Sequence, residues 1–183
     1  MFANGDITTY TFDNIGRKIN RLYTDGKRVT MAYDGNSNLT TLTDWNGVAT
    51  IVYDAVNHQT GRTDPGAFVQ AHTFDAAGQR TRLVDPIGAV STYTFDLDGR
   101  ISAYKDPEGV VTTAQYDSRN LKTTMVFGSG RLQRWDFDID ARNTVISDKI
   151  GATVLQLLTH TFDENNNRKS IVDSNGSRTT YTF

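Results

Sequence analysis

A chain of 183 residues is long enough for one ordinary domain with a sizeable core. Its 19 basic and 21 acidic residues leave a net charge of −2, which argues against a nucleic-acid binder and offers no polybasic segment to a membrane surface. The sequence lacks the run of roughly 18 apolar residues that would span a bilayer, and zero cysteines remove disulfides, thiolate nucleophiles and Cys-based zinc sites.

The first predicted element is a strand over TTYTF, residues 8–12, which ends at a turn beginning Asp13 and relieved by Gly16. Met1–Asp6, ahead of it, is short and not basic, so it does not read as a signal peptide; a secretion signal would lie in a longer parent chain. Further along, the aromatic–Asp step returns at Tyr33-Asp34, Tyr53-Asp54, Phe74-Asp75, Phe95-Asp96, Tyr116-Asp117, Phe137-Asp138 and Phe162-Asp163, with spacings of 21, 20, 21, 21, 21, 21 and 25 residues. A ninth aromatic, Phe183, closes a second TTYTF at 179–183, and STYTF stands at 91–95.

Each period carries two turn signals. Three residues after the Asp stand Gly16, Ser37, Asn57, Gly78, Gly99, Asn120, Ala141 and Asn166, mostly types that tolerate a left-handed backbone. Thirteen residues after it stand Gly26, Gly47, Ala67, Gly88, Gly109, Gly130, Gly151 and Gly176. Ten residues after it, Asp recurs at 44, 64, 85, 106, 148 and 173, twice within Asp-Pro-x-Gly. The segments between are short and rich in Thr, Val, Ile, Tyr and Phe, and no window shows a helical period.

The prediction is therefore all-β: a single repeat array over residues 1–183, of about eight hairpin repeats and about seventeen strands. Three- and four-residue turns require antiparallel neighbours, which favours a meander; a parallel β-solenoid is the alternative, since its coils have a similar length. The anchors Phe12, Tyr33, Tyr53, Phe74, Phe95, Tyr116, Phe137, Phe162 and Phe183 share a sheet face with Tyr10, Met31, Ile51, His72, Tyr93, Ala114, Trp135, His160 and Tyr181, two residues earlier. Such a face exceeds the apolar patch of roughly 300–600 Å² that a soluble monomer exposes, so the sheet is expected to curl into a spiral or shell, or to be covered by more protein. From Gly151 to Phe162 the usual seven residues become eleven. Four extra residues keep the anchor on the same face, and a longer hairpin or bulged strand there is a candidate contact surface.

The residues that suggest chemistry also have plainer explanations. The Asp series that opens each first turn is expected to close Asx-turns, and the same logic covers the second Asp series. In DFDIDARN, Asp136, Asp138 and Asp140 are the one weak metal candidate; Ala141 and Ser147 stand where a calcium loop needs Gly and Glu, and Arg134 and Arg142 are the alternative partners. His72 and His160 occupy equivalent packing positions, and His58 falls in a turn. Ser129 lacks the spacing of a nucleophile elbow. No cofactor and no enzymatic activity are predicted.

An aromatic–Asp step, then Gly, a strand and Asp-Pro-x-Gly, repeated near every 21 residues, resembles the RHS/YD-repeat family; residues 93–117, YTFDLDGRISAYKDPEGVVTTAQYD, are the fullest match. Its members include bacterial RHS polymorphic toxins, C components of insecticidal toxin complexes, wall-associated proteins and teneurins. The resemblance runs from Gly5 to Phe183 and implies a β-sheet wound into a hollow shell, which in toxin members encloses a C-terminal effector. Such shells take more repeats than eight, so the chain is expected to be a wall panel of a larger bacterial protein, secreted or at the cell surface. Its partners would be neighbouring repeats and an encapsulated effector. Two alternatives stay open. Trp45, at a turn, would stack on a glycan in an adhesive module. Related repeat edges at both ends would let identical copies stack head to tail into filaments.

Overall fold

The computed structural model describes residues 7–183; Gly5 lies outside them. The chain divides into two compact units, one up to Thr92 and one from Tyr93. The first holds β1 (Thr9–Phe12), β2 (Lys18–Leu22), β3 (Arg28–Tyr33), β4 (Leu39–Asp44), β5 (Gly47–Tyr53), β6 (Gln59–Asp64), β7 (Phe68–Phe74), β8 (Arg80–Val84) and the start of β9 (Val90–Phe95). The second continues with β10 (Ile101–Lys105), β11 (Val111–Tyr116), β12 (Lys122–Val126), β13 (Arg131–Phe137), β14 (Asn143–Ile150), β15 (Thr153–Phe162), β16 (Arg168–Asp173) and β17 (Arg178–Thr180). Among the described residues there is no helix.

Within each unit every strand pairs antiparallel with its neighbours in sequence, from β1 with β2 through to β8 with β9, and from β10 with β11 through to β16 with β17. That excludes the parallel solenoid, whose coils would pair in parallel. The reason lies in the turns. All eight positions three residues after the anchor Asp have positive φ, including the non-glycines Ser37, Asn57, Asn120, Ala141 and Asn166 at 63–70°. A left-handed residue at that point reverses the chain within a few residues, too short a span for a crossover.

At seven of the nine anchor aromatics the ladder also slips by one residue: Tyr33 pairs with Leu39 while Ala32 pairs with Thr41, which leaves Thr40 as a bulge. The same slip occurs at Phe12, Tyr53, Phe74, Tyr116, Phe137 and Phe162. Five bulge residues carry a hydroxyl that donates back to the carbonyl before the anchor, Thr40 to Ala32 at 3.2 Å, Thr60 to Val52, Thr81 to Thr73, Thr123 to Gln115 and Thr144 to Asp136, and Ser102 at the equivalent place donates to Thr94. The extra residue sharpens local twist, and the hydroxyl occupies an acceptor that the slipped ladder leaves free.

The faces separate as the two-residue period requires. In β5, Ala49 and Ile51 are buried while Val48, Thr50 and Val52 are exposed. These two are the only buried hydrophobic residues among those described, at 3% and 7% exposure. Most anchors are half-buried, and Phe12 and Phe183 are exposed at 54% and 84%. Each unit is thus one layer of strands, each in contact with its neighbours in sequence.

The insertion forms both things expected of it. Here β14 has eight residues and β15 ten, the hairpin closes where Ile150 pairs with Thr153, and a bulge falls where Asp148 pairs with Gln156 but Lys149 with Val154.

Candidate functional site

The densest polar constellation is the row of first turns. In all eight repeats the anchor Asp accepts at Oδ1 from two backbone N–H groups, two and four residues on, at 2.8–3.1 Å. The second carboxylate oxygen takes the side chain four residues on. Arg17, Arg100 and Arg142 donate through Nε at 2.7 Å, Asn38 and Asn167 through Nδ2 at 3.0 Å, and His58 places Nδ1 3.0 Å from Asp54. Asp117 takes Arg119 instead.

At Asp34, Asp96 and Asp163 these hydrogen bonds hold the carboxylate in its charged form. For Asp34 and Asp163 the leading cause is the side-chain amide of Asn38 or Asn167, which keeps the acid below its usual value. For Asp96 it is the backbone N–H of Arg100, with the guanidinium adding to it.

The residue four after the Asp also reaches the next repeat. Arg17 bonds the Asp34 carbonyl at 3.1 Å and lies over Tyr33; Arg100 bonds Asn120 Oδ1 at 2.6 Å and lies over Tyr116; Arg142 bonds Asn166 Oδ1 at 2.7 Å and lies over Phe162. His58 stacks on Phe74 with centroids 4.7 Å apart. One side chain therefore locks its own turn, caps the next anchor aromatic and bonds the next turn. Sequence reasoning missed this position, although Arg, Asn or His fills it in six of eight repeats. It also missed the bulge hydroxyl, although Thr or Ser fills the sixth place after the Asp in six of eight.

The second Asp series does not behave uniformly. Asp85 and Asp173 close Asx-turns by accepting from residues two and four on. Asp64 and Asp148 do not, which corrects the sequence expectation. Asp64 pairs with Arg62 in its own strand, and Asp148, buried in β14, accepts from Arg131 Nε at 2.8 Å and from Gln133. In these repeats the hairpin closes with Asp64 pairing with Phe68 and Ile150 with Thr153, and an arginine takes the carboxylate in place of the turn. Conversely Tyr23 and Phe127 stand where the Asp would be and still head the same hydrogen-bonded turn.

The weak metal candidate is dispersed rather than assembled. Asp136 is in β13 and binds Arg134 at 2.8 Å, while Asp138 and Asp140 lie in the turn and both engage Arg142. No group of three potential ligands is found among the described residues. Ser129 serves a turn, its hydroxyl facing the Arg131 N–H at 3.4 Å. His160 is buried with Nδ1 3.0 Å from the Asn143 carbonyl, inside a cleft of about 480 Å³ lined by Trp135, Phe137, Ile146 and Phe162; His72 packs near Phe74. The turn glycines Gly26, Gly88, Gly109, Gly130, Gly151 and Gly176 have φ of 53–87°, and Gly47 has 135°. Trp45 is 52% exposed, edge-on to Tyr23 at 5.8 Å, with the Lys27 ammonium 5.1 Å above it.

Residues 74–111 match the family model described as RHS Repeat. No curated protein matches the chain. Among solved structures, the chain is similar to one described as TcdB2-TccC3 without the hypervariable C-terminal region, at TM-score 0.66 and 13% identity over 96% of this chain and 10% of that one. It is also similar to TcdB2-TccC3, at TM-score 0.58 and 14% identity, over 96% and 12% respectively. The chain thus spans about a tenth of the length of the solved chains it resembles, and the likeness is one of fold.

Proposed function

We propose that this RHS-repeat chain is a non-catalytic wall segment of a much larger β-shell, whose interior encloses a polypeptide passenger such as a C-terminal toxin or effector. The observation that carries this reading is the repeat-to-repeat lock. Bonds such as Arg142 to the Asp163 turn and Arg142 over Phe162 tie one repeat to the next without any second layer. A single-layered sheet joined in this way extends by repetition, which suits a wall. Its half-buried aromatic face then lines the interior, where enclosure shields it from water. The similarity of fold to TcdB2-TccC3, over about a tenth of that chain's length, supports the same reading. A secreted or surface-exposed bacterial protein is the setting such a shell implies.

The test is protease protection in the full parent protein. The shell reading expects the segment following these repeats to resist digestion until the wall is denatured. A following segment cut as fast as the free polypeptide would overturn it.

A second reading rests on Trp45 alone. Its exposed ring, held edge-on by Tyr23 beside Asp25 and Lys27, has the aromatic face and polar rim of a sugar-stacking platform. Trp45 fluorescence unmoved by a panel of saccharides would dismiss it.

A further inference from the structure

The hairpin β14–β15 leaves part of one strand edge without a partner strand. On one side, residues 153–157 of β15 pair with β14. On the other, the ladder with β16 begins only at Leu158, opposite Asp173, because the chain turns there with Asp173 N–H bonding Ser177 O at 3.0 Å. The four-residue insertion thus carries β15 past the end of its neighbour, and Thr153–Leu157 presents a strand edge to solvent.

Two further observations indicate what covers it. The side chains along it are exposed, Val154 at 55%, Leu155 at 53% and Leu157 at 36%, with Ile150 beside them at 43%. The stretch from Ile150 to Phe162 holds no Asp, Glu, Lys or Arg and is the longest such stretch in the chain. Soluble proteins guard open edges with charge, proline, a bulge or a covering element, and here only the bulge at Leu155 is present. An open edge is complemented by an extended strand, because only that satisfies a row of alternating N–H and C=O groups.

We infer that this edge pairs antiparallel with the same edge of a second copy of this chain. Two-fold symmetry sets Thr-Val-Leu-Gln-Leu against itself in reverse, so Leu155 meets Leu155, Val154 meets Gln156, Thr153 meets Leu157, and no like charges oppose. The contact is isologous and closes at a dimer, unlike a head-to-tail stack of terminal strands. Five paired residues bury far less than the roughly 1,600 Å² of a standard stable complex, so the association is weak in isolation. It strengthens where copies are held close.

Sedimentation velocity over a wide concentration range tests this on the 183-residue chain. The expected result is a monomer–dimer equilibrium for the parent, loss of the dimer in Leu155→Lys and in Leu155→Glu, and its return when these two variants are mixed. Amide exchange should show protection of residues 153–157 appearing with concentration in the parent. The substituted side chain is solvent-exposed, and unchanged circular dichroism serves as the folding control. A parent that stays monomeric overturns the inference, as does a dimer that survives both charge variants, which would place the contact at the terminal strands. Residues 153–157 left unprotected in a dimer, or protected only by a different polypeptide, overturn it equally.

Discussion

The Arg142 guanidinium lies over the ring of Phe162, 5.0 Å from its centroid, although the two are twenty residues apart in sequence. The same arginine closes the Asp138 turn through Nε at 2.7 Å and reaches Asn166 Oδ1 at 2.7 Å. An anchor aromatic is therefore held from the preceding repeat, and the repeat boundary is an interaction rather than a gap. Arg142→Leu keeps much of the aliphatic packing but removes the polar links to Asp138, Asp140, the Asp163 carbonyl and Asn166. It should lower the urea midpoint and speed amide exchange around residues 163–167, more than Arg134→Leu, whose partner Asp136 lies in the same strand.

Acid should unfold the array through the anchor carboxylates. Asp34 and Asp163 are held below the usual 3.8 first by the Asn38 and Asn167 side chains, and Asp96 first by the Arg100 N–H. A folded-state pKa below the unfolded one stabilises at pH above the unfolded value, and this contribution is lost as pH falls through the folded value. Thermal stability should therefore be flat across neutral pH and decline below about pH 4. The Asn38→Leu and Asn167→Leu variants should show a smaller decline.

Gly128 is required by space, not by backbone angle. A Cβ there would stand 2.0 Å from Val110 Cγ1 and 3.2 Å from the Val111 carbonyl oxygen. Gly128→Ala should cost about 1–3 kcal/mol by equilibrium denaturation, and Val110→Ala should recover part of it in the double variant. Gly130, two residues on, has φ of +81° and open space around its Cα. Its alanine variant should cost about 1 kcal/mol through backbone strain, with no rescue by Val110→Ala.

The bulge hydroxyl should be measurable at Thr144, whose Oγ1 donates to the Asp136 carbonyl at 3.2 Å beside a register slip. Thr144→Val preserves shape and β-branching while deleting the donor. A loss of about 0.5–1.5 kcal/mol is expected, and Thr144→Ser should retain most of the stability.

Calcium should leave the thermal midpoint unchanged, because Asp138 and Asp140 share Arg142 while Asp136 is taken by Arg134. A calcium-dependent rise abolished by Asp140→Asn would show that the carboxylates converge on an ion.

Much of the architecture was legible in the sequence because its causes are local. An aromatic–Asp pair followed three residues later by Gly, Asn, Ser or, once, Ala specifies a tight left-handed turn, and all eight such turns form. Short turns dictate antiparallel pairing, and the period of two assigns Ile51 and Ala49 to the covered face and Val52 to the open one. Insertion parity held as well, since Phe162 still ends its strand with the bulge found at the other anchors.

What only the tertiary structure decided depends on atoms a whole repeat apart. Nothing in the spacing of Asp148 reveals that Arg131, seventeen residues earlier, claims it across the β13–β14 ladder rather than leaving it to a turn. The free edge of Thr153–Leu157 arises because β16 turns at Asp173, a fact about the neighbouring strand. Residue type and spacing determine turns and faces through short-range sterics and hydrogen bonding. Which carboxylate meets which arginine, and which strand outruns its partner, depends on the register that folding sets between repeats.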